Sequence, residues 1–101
     1  MYATYNRRKR ADTDQRATLD RAREEYFTKL RQAPGFVSLT IIQGEDGENL
    51  AVSLWERPED TAAFQAEAQR WGQTLDQIAP LVSRGQGNVS VHLTPRADKQ
   101  G

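Results

Sequence analysis

The stretch LAVSLWERPEDTAAF, residues 50–64, contains the end of one predicted element and the start of the next. Its first part alternates two sets of side chains with the period of a β-strand. One set is Leu50, Val52 and Leu54, and the other is Ala51, Ser53 and Trp55. Pro58 suits the first position of a helix, and the helix dipole favours the acidic residues that follow it. The stretch therefore predicts a strand that runs through a sharp corner into a helix.

The residues before this stretch predict its hairpin partner. FVSLTIIQ, residues 36–43, alternates in the same way and comes directly after Pro34 and Gly35, which cannot continue a helix. GEDGEN, residues 44–49, has the composition of a turn. We therefore expect two antiparallel strands joined by a short loop.

The N-terminal part supplies a strand and a helix. MYATYNRRK, residues 1–9, is rich in β-formers and predicts the first strand. Asp12 is the expected N-cap of an amphipathic helix of about five turns. RQAPGF, residues 31–36, is its predicted stop.

The C-terminal part predicts a helix, a loop and a strand. The second helix continues to about Ile78, and Gly72 is expected to bend or divide it. SRGQG, residues 83–87, is predicted as a loop, and NVSVHLT, residues 88–94, as the fourth strand. PRADKQG, residues 95–101, is predicted as a flexible tail.

The order β-α-β-β-α-β is typical of the α+β ferredoxin-like fold, a four-stranded antiparallel sheet with both helices on one face. We expect one such domain over residues 1–94. The alternation predicts that the helices cover these side chains: Val37, Leu39, Ile41, Leu50, Val52, Leu54, Val89, Val91 and Leu93. The other face then carries both apolar and small polar groups, which favours packing on a second copy. This predicts a homodimer through the face bearing Thr40, Ile42, Ser53, Trp55, Ser90 and His92.

Composition limits the classes of partner. The chain has 101 residues, and its 14 Lys and Arg balance 14 Asp and Glu, so no overall field attracts nucleic acid or a membrane. It has no cysteine and one histidine, which excludes disulfides, zinc sites with sulfur ligands and a multi-histidine metal centre within one chain. No apolar run reaches the length of a membrane span. We expect a cytoplasmic protein with a small-molecule partner.

Three stretches together resemble a known family. APGFVSLTIIQ (33–43), AVSLWERPEDTAAFQ (51–65) and GNVSVHLT (87–94) are similar to the antibiotic biosynthesis monooxygenase (ABM) family of the dimeric α+β barrel superfamily. The resemblance implies a homodimer whose sheets face each other, with a pocket between helices and sheet in each subunit. Members of the family oxygenate polycyclic or quinol-like aromatics without metal or flavin, degrade haem, act as isomerases or lyases on small molecules, or have no known activity. The resemblance implies one of these possibilities.

The haem-degrading branch of that family has a pattern that can be compared residue by residue. Asn6 stands where that branch has an Asn in its first strand. Its helical Trp and His fall on Phe64 and Thr74. Because Thr74 cannot replace an imidazole as axial ligand to iron, haem degradation is disfavoured and no cofactor is expected.

The resemblance and the residue types suggest a candidate site. Asn6 could donate a hydrogen bond to a substrate oxygen, Trp55 could stack on a ring, and His92 could transfer a proton. The predicted substrate-binding side chains are Tyr5, Tyr26, Phe64 and Trp71. Each has a structural alternative, since large aromatics supply much of a small core or interface and a lone sheet histidine is often only hydrogen-bonded.

Two functions therefore remain open. The leading interpretation is a cofactor-independent monooxygenase acting on a phenolic or quinol-like compound. The alternative is a non-catalytic dimeric barrel with a ligand-binding, structural or regulatory role. The basic cluster Arg7–Arg10 leaves a nucleic-acid partner as a remote option, or could form the rim of a pocket for an acidic ligand.

Overall fold

One antiparallel sheet with two helical regions packed on it makes up the chain. The computed structural model describes residues 1–10 and 15–95. The strands follow the spatial order β2-β3-β1-β4. This confirms the predicted α+β ferredoxin-like fold. The elements are β1 (Tyr2–Lys9), α1 (Gln15–Ala22), a π-helical turn (Arg23–Phe27), α2 (Thr28–Gln32), β2 (Phe36–Gln43), β3 (Glu48–Trp55), α3 (Pro58–Asp76) and β4 (Leu81–Asn88).

The first helical region is one continuous rod with a local change of pitch. Ala22 and Thr28, on either side of the π turn, both keep right-handed helical backbone angles, so α1, the turn and α2 run on without a break. The rod ends at Ala33, whose backbone is extended, as expected for a residue that precedes proline. The predicted N-cap Asp12 lies outside the described residues.

The turn after the first helical region packs closely against the start of α3. Gly35 has a φ of +81°, which favours glycine, and a Cβ at this position would overlap the Asp60 carboxylate. The Gly35 carbonyl accepts a hydrogen bond from Glu56 N at 2.8 Å. Asp60 accepts one from Arg57 N at 3.1 Å and so caps α3. The PGF turn and the corner after Trp55 are therefore one packed joint.

Helix α3 is not divided at the glycine in its interior. It runs unbroken from Pro58 to Asp76 with Gly72 inside it, so the predicted division there does not occur. One further turn follows, in which Leu75 O accepts from Ile78 N and from Ala79 N. Packing of Trp71 on the first helical region supports this part of α3.

The predicted position of the fourth strand is wrong. β4 is Leu81–Asn88, which includes the SRGQG stretch predicted as a loop. Residues 89–95 lie beyond the sheet, and Val91 and Leu93 are 77% and 89% exposed. Gly85 is opposite Tyr5 across the strand pair, and the Tyr5 ring occupies the space that a Cβ of Gly85 would need. Glycine in β4 thus makes room for a cross-strand aromatic ring instead of forming a turn. Of the predicted tail, residues 96–101 lie outside the described residues.

The predicted faces of β3 are also reversed. Trp55 is 3% exposed and packs on Phe64 of α3, so it faces the helices. By alternation Ser53 and Ala51 share that face, which we call the helix face. Leu50, Val52 and Leu54 therefore point to the opposite, open face. Across the hairpin, Leu39 and Ile41 are paired with Ser53 and Ala51 and lie on the helix face as predicted.

The six residues predicted to form one dimer face consequently do not share a face. Thr40 and Ile42 are paired with Val52 and Leu50 and lie on the open face, whereas Ser53 and Trp55 lie on the helix face. Ser90 and His92 follow β4 and lie outside the sheet. Among the described helices, none is long and apolar enough to cross a membrane.

Candidate ligand site between the helices and the sheet

In the described part of the chain, a row of aromatic rings runs between the helices and the sheet. The rings of Trp71 and Tyr26 are stacked, with centroids 5.8 Å apart and planes 13° from parallel. Tyr26 also lies 5.8 Å from Phe64, Phe64 lies 5.7 Å from Trp55, and Trp55 lies 5.5 Å from Phe36. We call these five residues the aromatic row. Trp55 is 3% exposed and the other four rings are half-buried, so an aromatic ligand could stack only on the partly exposed rings.

The π turn places Tyr26 in this row. Tyr26 and Phe27 are its last residues, and the two adjacent rings lie 6.3 Å apart. A π turn rotates the side chains that follow it relative to a regular helix, and such turns are frequent at functional sites. The turn is not among the elements predicted from the sequence. The sequence carries no signal for it, because neighbouring aromatic residues can share the apolar stripe of a regular helix.

The sheet beneath the aromatic row carries polar groups. Thr4 Oγ1 and Ser53 Oγ are hydrogen-bonded at 2.5 Å, and Trp55 Nε1 donates to Ser53 Oγ at 3.2 Å. These bonds fix the Trp55 indole between Phe64 and Phe36 in the row. They also explain a helix face on which small polar residues take the place of aliphatic ones.

Asn6 is the next residue on this polar strip. It lies two positions from Thr4 on the same face of β1, between Ala51 of β3 and Arg84 of β4. Its side chain is half-buried and makes no hydrogen bond within the part of the chain that the structure describes. Its neighbour Ala51 has no polar side-chain atom to pair with it, so the donors and the acceptor of the Asn6 amide are unused among the described residues.

Arg8 brings a positive charge to the same strip. Its Nη1 donates to Oδ1 of Asp76, the last residue of α3, at 2.7 Å. It also donates to the carbonyl oxygen of Ala79, which lies just beyond α3, at 2.9 Å. The Arg8 side chain is only 12% exposed, whereas that of Asp76 is 58% exposed. Arg8 Nε is buried and has no hydrogen-bond acceptor among the described residues. The guanidinium is therefore hydrogen-bonded through Nη1 and has no acceptor at Nε.

The Tyr26 hydroxyl stays protonated at high pH. Burial, and secondarily the negative charge of Glu67, raise the pKa of Tyr26 to about 12. Glu67 is itself bound by Lys29 at 3.1 Å and by Arg70 at 2.7 Å, and its hydrogen bonds to Arg70 and Lys29 lower its pKa. Tyr26 can therefore donate a hydrogen bond near neutral pH but is a poor base there.

The structure brings together some of the predicted site residues and separates others. Tyr26, Phe64 and Trp71 meet Trp55 in the aromatic row, and Asn6 lies on the same face of the sheet. Tyr5 is on the open face, where it covers Gly85, and His92 is exposed beyond β4. Arg84 is absent from the predicted site, because its stretch has the composition of a loop.

The basic cluster at the end of β1 is largely engaged within the chain. Arg7 Nε is 3.5 Å from Glu48 Oε1. Arg10 donates to Asn49 Oδ1 at 3.2 Å and to the carbonyl of Gly44, which ties β1 to the β2–β3 turn. With Arg8 bound at Asp76, these side chains stabilise the fold, and the cluster does not favour a nucleic-acid surface.

The donor set of the helix face does not fit haem iron. His92 is away from this face, and Thr74 on α3 has no group that serves as an axial ligand. Tyr26 could ligate iron only as a tyrosinate, which its stacking on Trp71 and its raised pKa oppose. Among residues 1–10 and 15–95, no group of three or more His, Asp or Glu side chains is placed to hold a metal ion.

The fold is that of antibiotic biosynthesis monooxygenases of known structure. A mutant of SnoaB, a cofactor-independent oxygenase from Streptomyces nogalater, superposes with a TM-score of 0.72 at 15% identity over 93% of this chain and 98% of SnoaB. A proposed antibiotic biosynthesis monooxygenase from Chloroflexus aurantiacus gives 0.63 at 20% identity, over 90% of this chain and 95% of that one.

A haem degrader shares the fold as well. MhuD from Mycobacterium tuberculosis, solved with two haems in its active site, gives a TM-score of 0.69 at 17% identity over 93% of this chain and 100% of MhuD. No model of a known protein family matches the sequence, and no curated protein is significantly similar to it. The likeness therefore lies in the fold, and the helix face has to be interpreted from its own residues.

Proposed function

We propose that the chain binds a phenolic or quinol-like aromatic molecule between its helices and sheet and oxidises it with O₂, without a cofactor. The observation that carries this proposal is the unbonded Asn6 amide on the helix face beneath the aromatic row. The stacked pair Trp71 and Tyr26 supplies a ring-binding surface, and Asn6 supplies a hydrogen bond for a ring oxygen. The fold shared with SnoaB supports the same reaction class.

The chemistry asks little of the protein beyond orientation and stabilisation of an anion. The quinol hydroxyl loses its proton to water, and the resulting anion transfers one electron to O₂. The ring radical and superoxide combine at a ring carbon that carries hydrogen, and the peroxide takes up a proton from water. Loss of water, with the hydrogen of that carbon, breaks the O–O bond and leaves a carbonyl, so one atom of O₂ enters the ring, the other leaves as water, and O₂ is the sole co-reactant. Donors that stabilise the ring oxyanion more than the neutral phenol favour the electron-donating form, which is the role proposed for Asn6.

A second candidate function is ligand binding without turnover. It is favoured by the state of Tyr26, whose pKa of about 12 keeps its hydroxyl protonated, and by His92, which lies away from the helix face. Neither group can take the substrate proton within the site near neutral pH. A substrate that ionises readily in water needs no proton acceptor in the site. Oxygen uptake with such substrates therefore distinguishes catalysis from ligand binding without turnover.

Oxygen uptake tests the catalytic proposal. With hydroquinones and anthrones, the wild-type protein should consume O₂ faster than buffer, and Asn6→Ala should slow this by about 100-fold or more, the loss typical of one oxyanion donor. Asn88→Ala, the same change at an exposed position at the end of β4, should leave the rate unchanged. Uptake equal to buffer with every compound would remove the oxygenase proposal and leave ligand binding.

The open face supports the proposed homodimer. Tyr5 and Ile42 are 47% and 49% exposed, and the half-buried Leu50 and Val52 of β3 lie between their strands. Together with Leu54 they make a largely apolar surface, which Arg7 and Thr40 also line, on the side of the sheet that no described helix covers. A second copy, turned by a twofold axis, presents the same apolar surface and would bury it.

The predicted cytoplasmic location stays a prediction.

Light scattering tests the dimer. The wild-type protein should have twice the mass of the chain, and Ile42→Asp should shift it to the monomer by placing a charge in the buried interface. Ala63→Asp on the exposed side of α3 is the matched control and should remain dimeric. A wild-type monomer at micromolar concentration would contradict the proposal.

A further inference from the structure

Two arginines on the helix face have unused hydrogen-bonding capacity on either side of Asn6. Arg8 has a buried Nε–H with no acceptor among the described residues. Arg84 is the cross-strand neighbour of Asn6, is exposed, and makes no hydrogen bond or ion pair within the described chain. Because alternation puts Arg8 and Asn6 on one face of β1, all three side chains belong to one side of the sheet.

The ion pair between Arg8 and Asp76 uses only one nitrogen of the guanidinium. Arg8 Nη1 spans Asp76 and the carbonyl of Ala79, and its Nη2 lies near Gly72, at 3.6 Å from where a Cβ would be. The guanidinium is thus held beneath the end of α3, where the carboxylate that it contacts is largely exposed. The pair with Asp76 therefore leaves Nε, on the buried side of the guanidinium, without an acceptor among the described residues.

We propose that Arg8, Asn6 and Arg84 bind an anionic oxygen of the ligand, and that the natural ligand is an aromatic acid or a ring carrying an ionised hydroxyl. Arg8 Nε donates from beneath the end of α3, and Arg84 donates from the exposed neighbouring strand. Asn6 donates from the position next to both. The ring then points along the helix face toward Trp71 and Tyr26. This rests on the proposed function for the location of the ring, but not on turnover.

The choice of an anion follows from the donor set. Guanidinium groups and an amide NH₂ are donors, and charge-assisted bonds to an oxyanion are about twice as strong as bonds between neutral groups. A neutral carbonyl or hydroxyl oxygen could also accept from Nε, but a bond to an anionic oxygen is stronger and compensates more of the loss of water at this buried atom. The site therefore selects by charge, while the aromatic row selects by shape.

A matched pair of probes tests this inference. 2-Naphthoate and 2-naphthamide have the same ring and nearly the same shape, and only the first is anionic. Quenching of tryptophan fluorescence should show naphthoate binding at least about 10-fold more tightly, as expected for one charge-assisted hydrogen bond. Arg8→Gln and Arg84→Gln should each reduce that preference, whereas Arg57→Gln, an exposed arginine at the corner before α3, should not.

The outcomes separate this inference from the proposed function. Equal affinity for the two probes, or a preference that both glutamine variants retain, overturns it. If Arg8→Gln does not fold, the exposed Arg84→Gln still decides. A preference for naphthoate without any O₂ uptake supports the anion site and contradicts the oxygenase proposal. O₂ uptake with neutral quinols, together with equal affinity for naphthoate and naphthamide, supports the oxygenase proposal and contradicts the anion site.

Discussion

Gly35 and Asp60 occupy adjoining space so closely that the glycine has no room for a side chain. The two residues come from the two stretches that most resemble the ABM family, the PGF turn and the corner after Trp55. Their contact joins the end of the first helical region to the start of α3. It is also next to Phe36, which follows Gly35 in the chain and is the last ring of the aromatic row.

Replacing Gly35 tests this joint. Gly35→Ala adds strain at a φ of +81° and a methyl group that overlaps Asp60, so we expect a loss of unfolding free energy above the roughly 1–3 kcal/mol of strain alone. Gly47→Ala is the matched control, because its φ is +86° and its added methyl group would meet nothing within 4 Å. Chemical denaturation of both variants measures the difference. Equal losses would mean that the contact with Asp60 contributes nothing.

The cap of α3 should be sensitive to loss of the Asp60 carboxylate. Asp60→Ala removes the acceptor for Arg57 N and should cost about 1 kcal/mol of unfolding free energy. Asp60→Asn keeps an acceptor oxygen and should cost less. Urea denaturation gives both values, and an alanine variant as stable as the asparagine variant would contradict the capping role.

The titration of Tyr26 should be separable in near-ultraviolet absorbance. The pKa of about 12 in the folded protein lies above the ordinary 10.0, so a tyrosinate phase near pH 12 should vanish in Tyr26→Phe. The stabilising contribution of the neutral hydroxyl is fully present below pH 10 and is lost as the pH rises toward 12. A Tyr26→Phe variant that retains the late phase would show that Tyr26 does not face a buried environment.

The pairing of Tyr5 with Gly85 fixes the position of β4. Gly85→Ala should destabilise the wild-type protein because the Tyr5 ring must move. The same change in a Tyr5→Ala background should cost less, with a coupling of about 0.5 kcal/mol or more. Additive effects in this double-mutant cycle would indicate that Gly85 of β4 does not lie opposite Tyr5 of β1.

The fold could be predicted from the sequence because its local signals agree. Alternation in β2 and β3, the proline at the start of α3 and the Pro34–Gly35 stop each specify one element, and no signal opposes them. The local pattern misplaces the fourth strand because Gly85 and Gly87 indicate a turn when the cross-strand Tyr5 is unknown. That long-range contact is not contained in a local pattern.

The faces of β3 could not be predicted for a related reason. Alternation shows that Leu50, Val52 and Leu54 share a face, but not which face the helices cover. In this protein the aliphatic set is on the open face, and the helices cover Trp55 and small polar residues instead. Of the candidate site, the aromatic residues of the helices were indicated by type and spacing, and Asn6 by the family resemblance. The π turn and the unsatisfied Arg8 depend on packing.

The central claim is that an aromatic ligand binds on the helix face and not on the open face. Titration of the ¹⁵N-labelled protein with a hydroquinone, without O₂, tests it most directly by NMR. We predict shifts of the Asn6 side-chain amide and the Trp71 indole N–H, with the signals of Tyr5 and Ile42 unchanged. Shifts confined to Tyr5, Ile42 and their open-face neighbours would contradict it.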